Sequence, residues 1–168
     1  EVWEDVLKIR VTVFGPEHPL VADTQNNIAI IFWNLGRYSE ALLDMYGKAL
    51  KTREKVFGHD HPHVADTKNN IGAVYHAQGR YPEALEVWED VLKIRVAVFG
   101  PEHLVAARTK VNIGSVYDDL GEYEKALRMC NEALLVLEAT LGRDHLLVAG
   151  TQNNIAVVLT DQGKYQEA

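Results

Sequence analysis

The chain has 168 residues, 47% hydrophobic and 24% charged, with a formal net charge of −7 spread along its length. No apolar stretch reaches the ~18 residues that suggest a membrane-spanning helix, and no block of lysine and arginine offers the footprint that phosphate backbones or anionic membranes need, so neither nucleic acid nor membrane is an expected partner. Cys130 is the sole cysteine and cannot form an internal disulfide, which favours a reducing, cytoplasmic setting, and the opening Glu1-Val2-Trp3-Glu4 reads as the start of a fragment, with neither a basic region nor an initiator methionine.

Three markers recur in one register. Gly36-Arg37-Tyr38, Gly79-Arg80-Tyr81, Gly121-Glu122-Tyr123 and Gly163-Lys164-Tyr165 lie 43, 42 and 42 residues apart. Thr24-Gln25-Asn26-Asn27-Ile28 returns at Thr67, Thr109 and Thr151, and Gly15-Pro16-Glu17-His18 is echoed at Gly58, Gly100 and Gly142. Such self-similarity marks a repeat architecture.

In chain order, residues 1–15 read as the second helix, B, of a partial repeat. Residues 16–58 form the first full repeat. Its helix A begins near Pro19, where proline suits the first helical turn, and carries Val21, Thr24, Ile28, Ile31, Phe32 and Leu35 on one face, at about 100° per residue. Gly36 ends it, since glycine favours the left-handed residue that follows a helix, and Gly58 ends helix B for the same reason. Between Tyr38 and Gly58 the chain holds one residue more than between Tyr81 and Gly100, and alignment puts the extra residue near Leu43 to Met45. One residue inserted in a helix predicts a π-bulge or kink there.

Residues 59–100 and 101–142 are further full repeats, and in the former Ala84, Leu85, Trp88, Val91, Leu92, Val98 and Phe99 give helix B its apolar spacing of three and four. Residues 143–168 supply helix A and the start of another helix B, which makes 1–168 one repeat domain. Small residues lie seven apart on the A helices, at Ala22 and Ala29, Ala65 and Gly72, Ala107 and Gly114, Ala149 and Ala156, and let neighbouring backbones approach closely. A single helical hairpin cannot bury its apolar face, so the expected fold is all-α, an α-α superhelix of stacked antiparallel pairs.

Gly-Arg-Tyr-x-Glu-Ala-Leu following Asn-Ile-Gly-x-Val-Tyr, at Asn70 to Leu85, resembles the tetratricopeptide repeat. The stretch Gly58 to Asn70 is similar to the longer kinesin light chain and nephrocystin-type subclass. The resemblance covers the whole chain and implies a protein-interaction scaffold that holds a partner segment in a concave groove lined by the A helices.

Opposite the buried side of helix A stand Asp23, Asn26, Ile30 and Trp33, then Asp66, Asn69, Ala73 and His76, then Arg108, Val111, Ser115 and Asp118, then Gly150, Asn153, Val157 and Thr160. These positions vary between repeats while the core positions scarcely do, which fits either a reading surface on a constant scaffold or a solvated face. Asn26, Asn69 and Asn153 match the groove asparagine of the kinesin light chain pattern, from which Val111 departs. An asparagine amide both donates and accepts, as binding to an extended peptide backbone requires. Asn27, Asn70, Asn112 and Asn154 never vary, and hydrogen bonding between repeats explains them as well as ligand binding does. Arg108 is the only lysine or arginine on the stripe, while Asp118, Asp119 and Asp161 gather toward the later repeats, so the expected partner is a neutral or basic protein segment.

His59-Asp60-His61-Pro62-His63 suggests a metal site by its alternation, but His61 recurs as His18, His103 and His145 and therefore belongs to the turn. No phosphate-binding loop, nucleophile elbow or Cys-x-x-Cys pair occurs, and Cys130 occupies the register of Trp88 on the buried face of helix B. Neither enzyme activity nor a cofactor or metal is expected. Two other readings stand beside the scaffold. In one, the apolar ends associate head to tail, residues 1–14 of one molecule on 144–162 of another, with Val2, Trp3, Val6, Leu7 and Phe14 meeting Ile155, Val158 and Leu159. In the other, the array is the ligand-sensing arm of a larger signalling ATPase.

Overall fold

The computed structural model describes residues 2–165, leaving aside the side chains of residues 40–43, and among the described residues every regular element is a helix. The order is α1 (Val2–Phe14), α2 (Pro19–Asn34), α3 (Tyr38–Glu40), a π-helical segment (Ala41–Tyr46), α4 (Gly47–Phe57), α5 (Pro62–Ala77), α6 (Tyr81–Phe99), α7 (Leu104–Asp119), α8 (Tyr123–Leu141) and α9 (Leu146–Asp161). The expected start of another helix B at residues 166–168 lies outside the described residues. The helices gather into two compact units, Glu1–Arg80 and Tyr81–Ala168. In the first, α2 packs on α1, on the π-helical segment and on α4, and α4 packs on α5. In the second, α7 packs on α6 and α8, and α8 packs on α9.

The A helices bury the first two to three turns of the face that the apolar spacing marks out, but at α2 the expected Ile31 and Leu35 are 38% and 63% exposed and Phe32 is half-buried. Val21, Ala22, Thr24, Ile28 and Ala29 are buried in α2, Val64, Ala65, Thr67 and Ile71 in α5, and Ala106, Ala107, Thr109 and Ile113 in α7. Gly36, Gly79, Gly121 and Gly163 follow α2, α5, α7 and α9 with φ between +71° and +81°. The next amide reaches back to close a Schellman pair, as Gly121 N to Asp118 O and Glu122 N to Tyr117 O, both 2.8 Å. The B-helix glycines differ. Gly58 and Gly142 sit near φ +84°, ψ +160°, a region open in practice only to glycine, and not in the left-handed helical region the spacing suggested.

The extra residue of the first repeat is absorbed where it was expected, in the π-helical turn Ala41–Tyr46. A π-turn holds one residue more than an α-turn, so the flanking helix keeps its register, and Tyr46 reaches the buried position that Trp88 and Cys130 hold in α6 and α8.

Arginines on the B helices brace the following A helices. Arg53 donates from Nη1 to the His63 carbonyl (3.0 Å) and Thr67 Oγ1 (2.6 Å), and from Nη2 to Asp23 Oδ1 (2.6 Å). Arg10 donates likewise to the Leu20 carbonyl and Thr24 Oγ1, and Arg95 to the Val105 carbonyl and Thr109 Oγ1. These bonds meet the requirement that the guanidinium of an arginine only 8% exposed, as Arg53 and Arg95 are, be satisfied by acceptors. In α8 the same register holds Leu137, which packs with Ala107, Ala133 and Val148 instead.

Candidate functional site

The stripe opposite the buried faces can be traced within each unit. In the first, Asp23 is committed to Arg53, and Asn26 Oδ1 accepts a hydrogen bond from Asn70 Nδ2 at 3.3 Å. The α2 and α5 amides are therefore joined to each other, which favours the bonding between repeats that Asn70 suggested. Ile30 is 40% exposed, and Trp33 is half-buried with its ring tilted on Tyr38 at 5.0 Å. On α5, Asp66 is exposed, while Asn69, Ala73 and His76 are half-buried.

In the second unit, Arg108, Asn153, Val157 and Thr160 are exposed, as is Gly150, and Ser115 and Asp118 are half-buried. Val111 packs against the Ala107, Ala133, Leu137 and Val148 cluster and so belongs partly to the core. Ser115, Asp118 and Val157 come together around a cavity of about 140 Å³ between α7, α8 and α9, whose wall is completed by Asp119, Cys130, Asn154 and Val158. These last four are not on the stripe. A signal for the cavity does exist in the sequence, since α8 carries the small Cys130 where α6 carries Trp88 and the first repeat Tyr46.

The cavity is acidic. Asp118 Oδ1 is shut off from solvent and accepts no hydrogen bond. Burial, followed by repulsion from Asp161 and Asp119, raises the Asp118 carboxyl above the usual carboxylate range. Burial, with Asp118 nearby, likewise pushes the Cys130 thiol up to about 11, which disfavours the thiolate form. Elsewhere acids have basic neighbours. Glu132 pairs with Lys110 at 2.7 Å, and Glu17 pairs with Lys55, which holds the Glu17 carboxyl below its ordinary value.

The recurring histidine is a helix cap. Nδ1 of His18, His61, His103 and His145 accepts the backbone N–H two residues on, at 3.1–3.3 Å. The rings of His18, His61 and His103 also stack on Phe14, Phe57 and Phe99. His59 Nδ1 lies 3.1 Å from Glu54 Oε1, and no group of three His, Cys, Asp or Glu among the described residues could hold a metal ion. No helix among them is long and apolar enough to cross a membrane.

The apolar ends are partly rearranged from the expected sets. Val2, Trp3 and Phe14 are exposed, together with Ile9 and Val13, whereas Val6 and Leu7 are half-buried. Val158 is 1% exposed, buried among its own neighbours, and Ile155 and Leu159 are half-buried, so Leu146 and Val157 are the exposed large apolar residues of α9.

Comparison with protein families matches the tetratricopeptide repeat at residues 42–95, 63–134 and 105–168. Comparison with curated protein sequences finds no match. Among solved structures, BtubC (BKLC) from P. vanneervenii superposes with a TM-score of 0.86 at 21% identity, over 99% of this chain and 66% of that one. A kinesin light chain-type protein from Podosopora anserina with nearly identical TPR-like repeats gives 0.80 at 22%, over 98% and 78%. The apo form of RapI gives 0.82 at 19%, over 98% and 57%. At these identities the likeness is one of fold.

Proposed function

The chain belongs to the tetratricopeptide repeat family, and on that premise we propose that it is a non-catalytic scaffold whose A-helix stripe holds a neutral or basic segment of a partner protein in the cytoplasm. Residues 1–168 act as one repeat domain in this reading. The observation that carries it is the cavity in the second unit, where three stripe residues, Ser115, Asp118 and Val157, converge on a recess that presents acids. A surface that is merely solvated has no reason to leave a carboxylate oxygen buried and unpaired.

Asn153 is exposed and Asn69 half-buried on the stripe, so both suit a test. With a partner identified by pull-down, replacing both by alanine is expected to weaken its binding about tenfold by calorimetry, as loss of hydrogen bonds to a peptide backbone would, and Asn153→Ala alone is expected to leave Tm unchanged. Equal affinity for wild type and variant removes the stripe from partner binding.

A second reading, head-to-tail association, is favoured by an internal comparison. Residues 1–18 and 86–103 match at 17 of 18 positions, differing only at Thr12 and Ala97. Yet Trp88 and Ile94 are each 3% exposed, while Trp3 and Ile9 are 39% and 62% exposed. A sequence that is buried at α6 thus lies open at α1, and an A helix of a second copy is the surface it fits.

A further inference from the structure

The cavity between α7, α8 and α9 is made by a change of size at one register. Tyr46 and Trp88 fill the buried B-helix position in their repeats, whereas Cys130 leaves about 140 Å³ beside Asp118. The recess is built from two kinds of wall. Val157 and Val158 on α9 are apolar, and Ser115, Asp118 and Asn154 offer acceptors. The charged groups that act on the Asp118 carboxyl are both acids, Asp161 and Asp119, and its buried Oδ1 accepts no hydrogen bond. The Ser115 hydroxyl is turned to the Val111 carbonyl at 3.3 Å, which leaves its oxygen able to accept.

We propose that this cavity is a specificity pocket for a lysine side chain of the bound segment, with the methylene stem along Val157 and Val158 and the ammonium at Asp118. The proposal rests on the stripe being the partner-binding face. A lysine suits the two-sided wall because its stem is apolar and its head is a compact charge with three donors. A metal ion does not suit it, because no three ligating side chains converge there among the described residues. An ammonium seated at Asp118 would offset both causes that raise its carboxyl, the repulsion by its opposite charge and the burial by pairing.

The pocket can be probed without the natural partner. Titration with n-butylammonium, a lysine side chain in miniature, is expected to shift the backbone amide signals of Ser115, Asp118 and Val157 saturably. Uncharged n-butanol should bind at least tenfold more weakly. Asp118→Asn should abolish that preference while raising Tm at neutral pH. Folding disfavours the charged form of a carboxyl whose pKa is raised, so removing the charge relieves the fold. Cys130→Met, which fills the recess and keeps every acid, should also block the probe. Equal response to butylammonium and butanol, or an unchanged response in Asp118→Asn, overturns the pocket, and tighter binding of n-propylguanidinium overturns its assignment to lysine.

Blocked nonapeptides with a central lysine or norleucine in alanine and serine flanks separate this failure from that of the stripe. If both peptides shift signals along α7 and α9 equally, the stripe stands and the pocket falls. If butylammonium seats while the lysine peptide shifts nothing beyond the cavity, the stripe falls and the pocket remains as a bare cation site.

Discussion

A histidine at the N-cap does what Asn, Asp or Ser more often do, since Nδ1 of the neutral ring accepts a backbone N–H while the proton sits on Nε2. At His103 the ring also stacks on Phe99 at 4.9 Å, whereas Leu141 holds the matching register before His145. Cap and stack together are worth roughly 1–2 kcal/mol, and the cap alone about 1 kcal/mol. His103→Ala should therefore lower stability in chemical denaturation more than His145→Ala, and His103→Asn should recover the cap share only. Equal losses at the two sites would show that the stacking contributes nothing. The recurrence of this histidine was legible as a feature of the turn, but its acceptor role depends on a backbone φ/ψ that spacing does not specify. The Arg10, Arg53 and Arg95 series was equally periodic, yet arginines on a helix read as solvated until the facing threonine shows why they turn inward. Asn26 and Asn70 present the same difficulty. Which amide faces a neighbour and which faces a ligand is settled by the approach of two helices, at 3.3 Å here.

At the scale of elements the sequence is most informative, because helix ends and periods are local. One surplus residue between Tyr38 and Gly58 was enough to locate the π-helical turn, since an insertion must either rotate every later side chain or be absorbed at once. The small residues seven apart on the A helices were also readable, and Gly114 shows what they permit. A Cβ there would lie 2.6 Å from Cys130 Sγ and 3.3 Å from the Ala126 carbonyl oxygen, so α7 and α8 touch through the missing side chain. Alanine would gain about 0.5–1 kcal/mol of helix propensity and lose about 1–3 kcal/mol to overpacking. Gly114→Ala is therefore expected to destabilise by about 1–2 kcal/mol in urea denaturation. In a Cys130→Ala background the same substitution should be neutral or stabilising, because the clashing sulfur is gone. A penalty that persists in that background would place the conflict at the Ala126 carbonyl instead. The cavity next to this contact was signalled only by the small Cys130 at the register of Trp88, because its walls depend on the sizes of side chains from three helices meeting at one point.

At the scale of the molecule, helices differ in how many neighbours pack on them within their unit, and stability should follow. α8 packs on both α7 and α9 and buries Ala126, Cys130, Ala133 and Leu137, whereas α1 packs on α2 and has no buried residue. In a repeat protein each helix is held mainly by its nearest neighbours, so opening is expected to begin at α1 and to reach α8 last. Hydrogen exchange at low concentration should show α1 amides with little protection and α8 amides with the most. The same measurement tests the open α1 face. A head-to-tail contact that covers Trp3, Ile9 and Val13 must raise α1 protection as concentration rises, in step with the mass seen by light scattering. Such a contact is heterologous and does not close, so growth should continue past the dimer. Trp3→Glu should cancel both changes while α8 protection is unaltered. If α1 protection stays constant from micromolar to millimolar concentration and the mass stays that of a monomer, the apolar face of α1 is not used by a second copy.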